Sequence, residues 1–297
     1  MNHLTNRLLL LAAALFLILP VTLHAEDTSI VLTEEVQLKL ADAFMAEGEY
    51  YRAVTEYKKF MILFTGSKKM DYALYRIGLA YYRGDEYEQA ARAFASIGTG
   101  YGGSSYVPAA LYQEGVSYWR LDRPAKAAAA FDKAVAAAPA SEYARLALLG
   151  KSLAEFDLNN IPACRQELER FIESYPEDAK TDKVRKTIAL LDRHRELPQK
   201  SPLVAGGMSA LIPGSGHIYA GHYGDGITAF FLNGLFIAGT VAAVRQENYA
   251  VAGVVGVIGL PFYIGNIYGA ANAAKKYTIG VKKDLRGKMA ISLDYPF

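Results

Sequence analysis

Cysteine is almost absent: Cys164 stands alone in 297 residues. An intramolecular disulfide and a thiolate metal cluster are thereby excluded. Cys164 also lies far from the first residues, so it cannot carry the N-terminal lipid of a bacterial lipoprotein. Net charge is scarce too, at +2 from 32 basic and 30 acidic residues. No long-range field results and no basic stripe interleaves with aromatics, so nucleic acid is set aside as a partner. Clustered carboxylates and a Cys/His pair are missing, which removes the usual material of an active site. The chain reads as a non-enzyme without cofactor or bound metal. Charge of either sign vanishes over one stretch: between Leu203 and Ala274 only Asp225, Arg245 and Glu247 carry it, whereas residues 26–200 are densely charged. The contrast sets a boundary near Pro198 and Pro202.

The first 25 residues contain Arg7, an apolar run over residues 8–19, Pro20, and Ala25 before Glu26. This is the pattern of a secretory signal peptide, so the segment beginning at Glu26 is expected outside the cytoplasm.

From there to the boundary the sequence repeats every 37 residues. Ala53, Ala90, Ala127 and Cys164 are equivalent, followed four residues later by Tyr57, Phe94, Phe131 and Leu168 and seven later by Phe60, Ile97, Ala134 and Phe171. The i, i+4, i+7 spacing is one face of a helix. An earlier helix in each unit carries small Ala41, Gly78, Gly115 and Ser152, with Phe44, Tyr81 and Tyr118 three residues on; Glu155 breaks that series. Small residues on both helices let the backbones approach, and aromatics fill the space between pairs, as in a stacked helical solenoid.

This pattern resembles the tetratricopeptide repeat, with Pro139 and Pro176 at the final proline of the family's unit. The 37-residue unit is similar to the repeats of periplasmic envelope proteins, among them the outer-membrane assembly lipoprotein and the cell-division coordinator of the Tol-Pal system. The resemblance implies binding of protein partners or extended peptide segments. Positions two, five, nine, twelve and thirteen of each unit line the concave face in that family, which here points to Tyr72, Tyr75, Tyr82, Arg83, Tyr112, Trp119 and Arg120. Gathered aromatic and guanidinium groups dominate binding energy in grooves. The competing reading is packing of the rings between repeats. Arg83 and Arg120, equivalent and one repeat apart, favour a ligand offering carboxylates.

Residues 226–244 and 249–272 are each long and apolar enough to cross a hydrocarbon core of about 30 Å, separated by the polar turn Arg245, Gln246, Glu247 and Asn248. Gly253, Gly256 and Gly259 recur every three residues, and Gly265 with Gly269 forms a GxxxG, a small face suited to helix packing or to homo-oligomers. Before them, residues 203–222 are apolar but broken by Pro213, Gly214, Ser215, Gly216, His217, Ile218, Tyr219, Ala220 and Gly221. This resembles a small-membrane-domain motif, P-G-x-G-Q-x-Y-x-G, of bacterial proteins of unknown function, with His217 in place of the usual Gln. Its residues are Pro213, Gly214, Gly216, His217, Tyr219 and Gly221. A weaker echo occurs downstream at Leu260-Pro261 and Asn266-Ile267-Tyr268-Gly269. With the repeats outside, two crossings leave Lys275, Lys276, Lys282, Lys283, Arg286 and Lys288 outside as well, against the positive-inside rule. A third crossing by residues 203–222 restores the rule and is preferred, a re-entrant segment being the alternative.

His217, His222 and Asp225 do not share one helical face, which disfavours a metal. Ser215 lacks both the Lys-Ser/Thr of a phosphate loop and a G-x-S-x-G elbow. Residues 289–297 alternate in part, as a short strand or lipid-surface segment would.

The expected architecture is all-α: a helical-hairpin solenoid of the tetratricopeptide type followed by a small helical transmembrane domain. Its parts are a signal peptide (1–25) and a solenoid over 26–198, with units 34–70, 71–107, 108–144 and 145–181 and a capping helix at 182–196. A glycine-rich transmembrane domain (199–276) and a basic tail (277–297) complete it. The expected function is a non-catalytic scaffold in the bacterial inner membrane, its repeats in the periplasm, contacting protein partners and membrane lipid. A pore-forming or accessory subunit of a transporter is the alternative.

Overall fold

The computed structural model describes residues 31–193 and 197–295; the expected leader lies outside them, as do the last residues of the expected capping helix. Among the described residues every element is a helix. Four antiparallel pairs stack in sequence: α1 (Glu34–Ala46) with α2 (Tyr50–Leu63), α3 (Met70–Arg83) with α4 (Tyr87–Gly100), α5 (Val107–Arg120) with α6 (Pro124–Ala137), and α7 (Glu142–Asp157) with α8 (Ile161–Ser174). A single helix, α9 (Thr181–Asp192), covers the last pair. This is the solenoid of the tetratricopeptide type that the 37-residue period implies.

The repeat positions form the core. Ala53, Ala90, Ala127, Cys164, Tyr57, Phe94, Phe60 and Phe171 are all fully buried. Gly78 and Gly115 each lie against the ring that follows the small repeat residue of the partner helix by four positions. A Cβ on Gly78 would stand 2.5 Å from Phe94, and one on Gly115 would stand 2.6 Å from Phe131. Each pair can close only because the side chain is missing. The turn inside each hairpin is periodic as well: Gly48, Asp85, Asp122 and Asn159 adopt φ of +79°, +60°, +56° and +61°. Gly, Asp and Asn are the residues that tolerate this left-handed region best. The two ends of a unit are also tied by side chains, with Ser67 donating to Glu34 at 2.8 Å, Ser104 to Asp71 at 2.6 Å, and Arg145 paired with Asp178.

Beyond the linker come α10 (Pro202–Leu211), α11 (Ser215–Tyr219), α12 (Tyr223–Arg245) and α13 (Tyr249–Ser292). Helices α12 and α13 are long and apolar enough to cross a membrane. They pair as a hairpin in which the rings of Phe236 and Phe262 stack at 5.3 Å and Gly259 gives Phe236 its room. Most of their apolar surface is uncovered: Phe231 is 69% exposed, Leu235 70% and Val257 73%.

Two expectations are corrected by this fold. The preferred third crossing does not form, because α10 has only ten residues, about 15 Å of helix where a crossing needs about 30 Å. The segment instead breaks at Gly214 and folds back against α13. The region expected as a separate basic tail is the continuation of α13, which runs unbroken for 44 residues through Pro261, a length of about 66 Å. Residues 289–292 are therefore helical rather than extended, and Leu293 and Tyr295 beyond them pack against the solenoid.

Candidate protein-binding groove

The first helices of the repeats supply the groove, and it has two halves of different character. At the N-terminal end Asp42 of α1 is the centre. Its carboxylate accepts from the Tyr72 hydroxyl at 2.9 Å and from the Tyr57 hydroxyl, and pairs with Arg76 at 2.8 Å. Arg76 also donates to Tyr57 at 2.8 Å and lies 5.8 Å from the centre of the Tyr72 ring. Burial, together with the bond to Asp42, pushes the Tyr72 hydroxyl up to about 12. Tyr75 stacks on Tyr106 at 5.1 Å and leans on Phe94 at 5.7 Å, so its ring joins two repeats. A cleft of about 520 Å³ opens beside this cluster, lined by Lys39, Asp42, Lys68, Lys69, Tyr72 and Tyr106 among others.

The other half is filled by the chain itself. Leu285, Met289, Ala290, Leu293 and Tyr295 are all at most 5% exposed and belong to the same apolar core as Tyr112, Trp119 and Leu149. Trp119 donates its indole N–H to Asp157 at 2.8 Å. The Arg286 guanidinium reaches both oxygens of Asp157, at 3.0 and 3.2 Å, and lies 5.0 Å from the Trp119 ring. Tyr295 meets Trp119 edge-on at 6.2 Å. Burial pushes the carboxyl of Asp157 up, and its bonds to Trp119 and Arg286 oppose that. Tyr112 is buried between Phe131 and Tyr143, and desolvation raises its hydroxyl to about 12. At the end of α13, Lys180 Nζ donates to the carbonyls of Leu293 at 3.2 Å and Asp294 at 2.6 Å. Thr187 and Ser292 share a hydrogen bond at 3.0 Å.

The seven residues picked from the sequence therefore separate. Tyr72 borders the open cleft, Tyr75 packs between repeats, and Tyr112 and Trp119 lie against the chain's own C-terminal segment. Tyr82 accepts from Arg120 Nε at 3.3 Å and packs on Tyr87, whose ring centre lies 5.9 Å from Arg120. Arg83 is exposed. Arg120 is exposed as well, and differs from Arg83 in its bond to Tyr82 and its place beside the Tyr87 ring. Asp42, Arg76, Asp157, Arg286 and Tyr295 were missed. Leu285, Met289 and Leu293 at i, i+4 and i+8 were the available signal for the last two.

The motif around Pro213 is a packing knot. Gly214 has φ +85°, a Cβ there would strike the Gly226 carbonyl, and one on Gly216 would strike the Ala205 carbonyl. Gly221 needs its glycine for φ +89°. The broken backbone is satisfied from α13: Gly214 N–H donates to Asn266 at 2.9 Å, and Asn266 donates to the Ser209 carbonyl at 3.0 Å. Gly216 N–H donates to Ser209 Oγ at 3.1 Å and the Tyr263 hydroxyl donates to the Ala210 carbonyl. His217 is 8% exposed and lies against Gly269. Tyr219 accepts from Ser201 N–H at 3.2 Å, and half-buried Pro213 sits at the break. Among the described residues, no three His, Cys, Asp or Glu side chains come together as metal ligands would.

A family model described as tetratricopeptide repeat matches residues 72–104 and 109–141. The two matches are offset by 109 − 72 = 37 residues, the period of the helical pairs. The chain is also similar to a solved tetratricopeptide repeat protein from Parabacteroides merdae ATCC 43184, at 14% identity and a TM-score of 0.44 over 80% of this chain and 98% of that one. A search of the curated proteins gives no match.

Proposed function

We propose that this chain is a non-catalytic, membrane-anchored scaffold that binds an envelope protein through the open half of its groove. The observation that carries the reading is the cleft between the first two repeats. It is lined by Tyr72, Tyr106, Lys68 and Lys69, while the rest of the groove is already occupied. Tetratricopeptide repeats generally bind proteins, and aromatic rings beside cations are the groups that anchor such contacts. The anchor is the α12–α13 hairpin. Large side chains as exposed as Leu235 and Val257 have no counterpart in the core of a soluble protein, and lipid is the solvent that suits them.

The leader in residues 1–25 puts the repeats in the periplasm, with the hairpin in the inner membrane. Two crossings then leave the basic end of α13 on the periplasmic side. The solenoid offsets this in part: Arg286 is neutralised by Asp157, and Lys282 donates to Asn159 at 2.7 Å. Envelope or membrane-protein assembly is the setting this combination fits.

The test is a photo-crosslinking residue placed at Tyr106 in living cells, with exposed Ala136 on the outer helix α6 as the control. The scaffold reading expects a discrete protein adduct from position 106 and none from 136. Equal trapping at both positions, or none at either, would overturn it.

A further inference from the structure

We infer that residues 285–295 are a tethered ligand of the third and fourth repeats, holding a recognition site whose partners carry a segment of the same chemistry. The inference rests on the scaffold reading above and names what the second half of the groove accepts. Leu285, Met289 and Leu293 fall on one helical face, and each is at most 5% exposed. Arg286 stands beside that face, where Asp157 and the Trp119 ring receive it. The chain then turns at Asp294, with φ +48°, and sinks the Tyr295 ring between Trp119 and Tyr112. Recognition is therefore spelled out as apolar residues at i, i+4 and i+8, an arginine at i+1 and an aromatic at i+10.

Three observations separate this segment from the repeats' own core. Its hydrogen bonds come from more than a hundred residues away, as with Arg286 and Asp157 at a separation of 129. Its polar anchors, Lys180 and Lys183, sit at the rim and hold the end of the helix from outside. The Tyr295 hydroxyl is buried beside the Tyr112 hydroxyl without forming a well-directed hydrogen bond. Gly150 is what admits it, since a Cβ at that position would collide with this hydroxyl. A poorly satisfied hydroxyl makes tyrosine an imperfect occupant, and a phenylalanine would fill the same space without that cost. The partner segment that displaces the tail is thus a basic amphipathic helix ending in phenylalanine.

The experiment uses the full chain in lipid nanodiscs with a protease site inserted after Gly280, cut once the protein has folded. A fluorescein-labelled peptide of residues 282–297 is then titrated in and followed by anisotropy. The cut protein should exchange its own segment and bind the peptide saturably, while uncut protein should not. A Tyr295→Phe peptide should bind tighter by about tenfold, and an Arg286→Glu peptide weaker by at least about tenfold. An uncut Arg286→Glu chain should accept the wild-type peptide, which keeps the test informative if the insertion disturbs folding. A cut segment that never leaves, loss of helical circular dichroism on cutting, or indifference to the Arg286→Glu change would each overturn the inference. Crosslinking at Tyr106 does not involve this segment, so failure here leaves the scaffold reading standing.

Discussion

Glu114 of α5 is 5% exposed, and one of its carboxylate oxygens has no partner. Burial pushes its pKa up, and the nearby Lys133 opposes the shift. The folded state thus holds the proton more tightly than the unfolded chain does. Native stability is greatest with the proton on, below the ordinary carboxylate value of about 4.3, and falls as pH rises through the raised value. Glu114→Gln removes the charge and should stabilise the protein by roughly 1 kcal/mol at neutral pH. The gain should close as the pH falls to about 4. Thermal melts of both forms across that range check it; a gap that does not change with pH would contradict the burial account. At this scale the repeat residues were legible, because a 37-residue period exposes them by simple recurrence. Asp42 and Arg76 were not, since they meet at a separation of 34 across two repeats and only the stacked backbones bring them together.

Helix α13 shows what periodicity misses. Its first part is uniformly apolar and its last part strongly charged, and a change of composition reads as a boundary. Composition reports the solvent around a helix, not its end, so the backbone runs on through Pro261 to Ser292. The broken segment before the hairpin was legible only in outline, because Pro213 and Gly214 announce a break but not what repairs it. Asn266 repairs it, serving Gly214 and Ser209 from the neighbouring helix. Broken backbone at membrane depth survives only where protein covers it. Asn266→Ala should therefore cost about 2 kcal/mol, and Tyr268→Ala, two residues away and 74% exposed, close to nothing. Unfolding titrations in mixed micelles compare the two. Equal losses would mean that the amide of Asn266 does not support the break.

Taken whole, the molecule is a hairpin carrying a solenoid, closed by α13 returning to the repeats. Both ends of the α12–α13 hairpin lie on the solenoid side, and its polar turn around Glu247 lies at the far end. The period announced the solenoid, and the uncharged runs announced the hairpin. Their closure depends on Arg286, Leu293 and Tyr295, which recur nowhere else in the sequence pattern. Cys164 is fully buried, and burial lifts its thiol to about 12, so it stays silent to maleimides. Single cysteines can therefore be read in the native background. The decisive measurement is labelling of Lys126→Cys in the solenoid, Lys288→Cys near the end of α13 and Glu247→Cys in the turn with a membrane-impermeant maleimide, before and after opening the inner membrane. Positions 126 and 288 should label from the periplasmic side and 247 only once the membrane is opened. Labelling of 247 and 288 from the same side would contradict a two-helix anchor with the groove and its tethered segment on one face.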